Sequence, residues 1–67
     1  MPDLLKQQFS ATEKHREVCR ELDKRRYVYP KLVANGKLTQ RTADRQIAVM
    51  EQVAEDYRVL AEKEQLL

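Results

Sequence analysis

Two groups of residues in this chain carry side chains capable of chemistry. His15 and Cys19 are four apart, so on a helix both leave from one face. Such a pair is half of a metal site that a second chain would complete, or a thiol beside a base. The plainer reading is that both fill a helix interface, with His15 bonded to Tyr57 or to water. On that reading no metal, no cofactor and no catalytic residue is expected. The second group lies between Lys24 and Arg45, which holds seven Lys or Arg against one acid, Asp44, for a net +6. Arg25, Arg26, Lys31, Lys37, Arg41 and Arg45 suit phosphates or an acidic protein surface, and Tyr27 and Tyr29 offer faces for stacking. A structural role competes for Arg26. It falls about 40° from Leu22 on a helical wheel, where it would snorkel or pair with Glu51 across an oligomer interface.

Most enzyme constellations are missing. One His excludes a two-histidine metal motif, the single Gly excludes a phosphate loop, and the only Ser is Ser10, outside any nucleophile elbow. A non-enzymatic protein is expected.

The elements that must position these residues are helical. The chain is rich in Ala, Leu, Glu, Lys, Arg and Gln, with one Gly and two Pro in 67 residues. Ser10 and Glu13 form a capping box, which starts a first helix over residues 10–34. Residues 1–9 are an N-terminal extension or a short helix at 2–8 opened by Pro2. Val18 and Leu22 carry the first helix's apolar spacing. Pro30 predicts a kink or break, and Asn35-Gly36 predicts the stop, with Gly36 left-handed. Thr39 caps a second helix over 39–65. Its seam is Ala43, Ile47, Met50, Ala54, Tyr57 and Ala61, widened by Val49, Val53 and Leu60 to an arc of about 160°. A short link between two long helices predicts an antiparallel hairpin. The expected class is all-α, one domain over 1–67.

At this length a core is marginal, and such chains rely on disulfides, metals or association. One cysteine cannot make an internal disulfide, which favours a reducing compartment. No signal peptide and no membrane span are expected. Half of the second helix's apolar arc would stay wet in a lone hairpin. Self-association into a homodimer or larger bundle is therefore expected, with Val18, Leu22, Ile47, Met50, Val53, Tyr57 and Leu60 as core or oligomer contacts. Charge is segregated: residues 1–23 carry −1, 24–45 carry +6 and 46–67 carry −3.

The run from Arg25 to Thr39 (RRYVYPKLVANGKLT), then Ala43-Asp44-Arg45-Gln46-Ile47 and Met50-Glu51, resembles small uncharacterised proteins encoded by bacteriophages and prophages. Those carry a basic Tyr-Pro stretch, a Gly-x-Leu-Thr turn and a Met-Glu helix. The resemblance implies an accessory protein in the cytoplasm of a bacterial host, one that binds and modulates a host or phage protein. It carries no functional residues with it. Nucleic-acid or nucleotide binding by the Lys24–Arg45 surface is the alternative.

Overall fold

The structure, a computed structural model, describes residues 7–66, and the expected short helix at 2–8 lies mostly outside them. Two helices account for nearly all of it: α1 over Ala11–Ala34 and α2 over Gln40–Leu66. They form an antiparallel helical hairpin, and the described residues contain no strand. The order of cross-hairpin partners fixes the direction. Ala11 meets Glu64, Arg26 meets Glu51 and Tyr29 meets Gln46, so α2 descends as α1 climbs.

Local chemistry sets each helix end. Ser10 has extended backbone angles, and its hydroxyl accepts the Glu13 N–H at 3.1 Å, supplying one of the acceptors that a helix N-terminus lacks. Thr39 does the same for α2, accepting the Thr42 N–H at 3.1 Å. At the end of α1, Asn35 is the cap and Gly36 turns left-handed at φ 71°. The Gly36 N–H donates to the Val33 carbonyl at 3.0 Å and the Lys37 N–H to the Leu32 carbonyl at 2.9 Å. This double bond pattern closes the helix and reverses the chain. No atom lies within 4 Å of where a Cβ on Gly36 would stand, so only the backbone angle demands glycine. Gly36→Ala should therefore cost about 1–2 kcal/mol, read as a lower urea midpoint, with Gly36→Asn costing less.

Of the kink or break expected at Pro30, the break does not occur: α1 runs through it to Ala34. Proline removes one bond, to the carbonyl four residues back, here Arg26. Both residues are exposed, so water can take over that carbonyl. Only one turn of helix follows, and Leu32 and Val33 within it are half-buried.

A second fastening joins the far ends. Both carboxylate oxygens of Glu64 accept the Ala11 N–H, at 3.0 and 3.1 Å. The last turn of α2 thus caps the first turn of α1, with an anion placed where the helix dipole favours it.

The core between the helices is narrow. Its buried residues are Ala11, Leu22, Ala43, Ala54 and Ala61, so Leu22 is the one large side chain among them. The alanines of α2 leave room for α1 to approach closely. Of the seven expected core or oligomer residues, Leu22 is buried, Val18, Ile47, Met50, Val53 and Tyr57 are half-buried, and Leu60 is exposed.

Candidate functional site

The structure separates the eight basic and aromatic residues into two sets. Arg25, Arg26 and Tyr29 fasten the hairpin. The Arg25 side chain is 23% exposed; its Nε donates to Glu21 at 3.2 Å and its Nη1 to the Gln46 carbonyl at 3.2 Å. The Tyr29 hydroxyl donates to the side chain of the same Gln46 at 3.0 Å, and the Arg25 guanidinium lies 5.9 Å from the Tyr29 ring. Arg26 reaches Glu51 at 3.1 Å and Asp23 at 3.8 Å. The expected Arg26–Glu51 pair thus exists, but it joins the two helices of one chain.

The second set is turned outward. Tyr27 is 68% exposed, and the Lys31 ammonium sits 3.8 Å from the centre of its ring, a close cation–π contact. Helical spacing sets both on the side of α1 away from α2. Lys37 is exposed in the turn, and Arg41 and Arg45 are exposed on the outer side of α2. Lys24, Lys31, Lys37, Arg41 and Arg45 make no ion pair with any described residue. Asp44, the only acid of the segment, is held by Gln40 at 2.8 Å. Lys31, Lys37, Arg41 and Arg45 therefore form a band around the turn end, not one flat patch, with Lys24 further along α1.

Viewed across its width, the hairpin has two unlike faces. On one lie Arg26 with Glu51, His15 with Cys19, and Arg58 with its acids. Arg58 is gripped by Glu55 at 2.7 and 2.9 Å and by Glu62 at 3.0 Å. The hydrogen bond from Arg58 holds the Glu55 carboxyl below its usual range. Its small contribution to stability is present above the ordinary carboxylate pKa and is lost as pH falls through the depressed value. His15 Nε2 and the Cys19 thiol lie 3.4 Å apart, within hydrogen-bond distance; of the two partners expected for His15, Tyr57 or water, no bond to Tyr57 is formed. Among the described residues no group of three or more His, Cys, Asp or Glu could hold a metal ion.

The opposite face carries an apolar strip, chiefly on α2, rimmed on α1 by Lys14, Glu21 and Arg25. It is marked by the Tyr29–Gln46 bond and by Lys14, whose ammonium lies 5.9 Å from the Tyr57 ring. Helical spacing places Val49, Val53, Tyr57 and Leu60 of α2 there, beside Val18, Val28 and Leu32 of α1. Val49 is 51% exposed and Leu60 46% exposed. Val28 and Leu32 were missed as part of this face; their spacing of 3 and 7 from Arg25, which lies at the edge of the apolar face on a helical wheel, could have shown it.

The arrangement defines a class, a two-helix hairpin with an apolar face and a cationic turn. Comparison with protein-family models, with curated proteins and with solved structures gives no match. No described helix is long and apolar enough to cross a membrane.

Proposed function

We propose that this chain is a self-associating helical interaction module without catalytic activity. Copies pair through the apolar face, and the assembly offers its cationic turn and Tyr27 to an acidic surface of a bacterial host or phage protein in the host cytoplasm, modulating that protein. The observation that carries the reading is the apolar face itself: Val49 and Leu60 stand about half-exposed on a hairpin in which Leu22 is the one large buried side chain among the described residues. A face of this kind marks an interaction site. Light scattering at micromolar concentration should give a mass of at least two chains. A mass of 7.9 kDa, that of one chain, would remove the proposal.

A second reading, nucleic-acid or nucleotide binding at the turn, is favoured by the exposed Tyr27 with Lys31 against its ring. Titration of a single-stranded oligonucleotide at several salt concentrations tests it. Binding should weaken steeply with salt, and Lys31→Ala should reduce the logarithmic salt slope by about 1. No binding at low salt ends this reading.

A further inference from the structure

The apolar face carries a pattern that specifies how two copies meet. On the rim of α1 it reads Lys14, Val18, Glu21, Arg25, Val28 and Leu32, at spacings of 4, 3, 4, 3 and 4. Three of the six are charged, so this is a mixed polar and apolar stripe, set to one side of the seam that holds Leu22. Any series with these spacings is symmetric about its midpoint, which here is Asp23. Reversed on itself, it sets Val18 against Val28, Glu21 against Arg25, and Lys14, whose stem is apolar, against Leu32. On α2, Val53 stands near the same height as Asp23, because Arg26 bonds Glu51 two to three residues away on each helix. A reversal about that level sets Val53 against its own copy and Val49 against Tyr57.

Charge points the same way. The segment 24–45, which forms the turn end, carries a net +6, while residues 1–23 and 46–67 carry −1 and −3. Parallel copies would bring both cationic turns together. Antiparallel copies bring each turn beside the other copy's acids, and like-charge juxtaposition is avoided.

Resting on the self-association proposed above, we infer that the occupant of the apolar face is a second copy of this chain in antiparallel orientation. The two-fold axis crosses the helices near Asp23 and Val53, and the product is a four-helix bundle with one cationic turn at each end. In it Arg25 of each copy faces Glu21 of the other.

Two variants made in a Cys19→Ala background test the orientation, after circular dichroism has shown that they remain helical. Spin labels at Lys37→Cys should lie about 40 Å apart, the length of a 27-residue helix. Mild oxidation of Val53→Cys should give a covalent dimer, since disulfides need Cβ atoms within about 4.5 Å. Labels about 10–20 Å apart, the spacing of neighbouring helices, would mean parallel copies and overturn the inference. Distant labels without a Val53→Cys dimer would overturn the proposed axis. Both outcomes presuppose a mass above one chain, so failure of the orientation is distinguishable from failure of self-association.

Discussion

Leu22→Ala is expected to be the most destabilising single truncation in this chain, with a loss of about 2–5 kcal/mol. Leu22 is 5% exposed, and the other buried residues are alanines. Ala43, Ala54 and Ala61 have no side-chain length with which to fill the space that Leu22 would vacate. The cost should therefore fall toward the upper part of the range, where sites cannot collapse. Small domains have about 5–15 kcal/mol in all, so much of the folded population is at stake. Urea unfolding followed by helical circular dichroism should show a midpoint lower by roughly 1–3 M. A loss under about 0.5 kcal/mol would mean that burial at this position does not hold the helices together.

Val53→Glu should abolish self-association while leaving the hairpin's own bonds in place. Val53 is half-buried in the single chain, where a carboxylate can turn to water. Between two copies it meets its symmetry mate, so one substitution places two like charges together out of water. An unpaired buried charge is strongly destabilising, about 3–5 kcal/mol by comparison with broken buried pairs, and here it counts twice. Dissociation constants should rise by at least about 1,000-fold, since each 1.4 kcal/mol is tenfold. Sedimentation should then show single chains at concentrations where the parent is assembled. A Val53→Glu protein that keeps the parent's mass would place the interface elsewhere.

Much of the fold was legible because its determinants are local. Ser10, Thr39 and Gly36 act on backbone groups within three to five residues, so type and position suffice to place the helix ends. The seam from Ala43 to Ala61 was legible because six apolar residues repeat at one spacing. Pro30 left a kink and a break both open, because its effect depends on exposure and on how much helix follows, and neither is written in the residue type. Arg25 misled for a related reason. As a charge it interrupts the apolar pattern of α1, yet its guanidinium finds a carbonyl 21 residues away. The basic segment likewise looked uniform. Which of its cations are spent on the hairpin, and which remain outward, depends on acids and carbonyls contributed by the other helix.

The bond from Glu64 to Ala11 joins groups 53 residues apart. Helix ends ordinarily fray independently, each opening at little cost. Here the last turn of α2 cannot unwind without releasing the first amide of α1, and the first turn of α1 cannot open without stranding that carboxylate. The two ends should breathe as one cooperative unit. Amide hydrogen exchange in the first turn of α1 would then report on the opening of α2, and the turn around Gly36 would exchange on a schedule of its own.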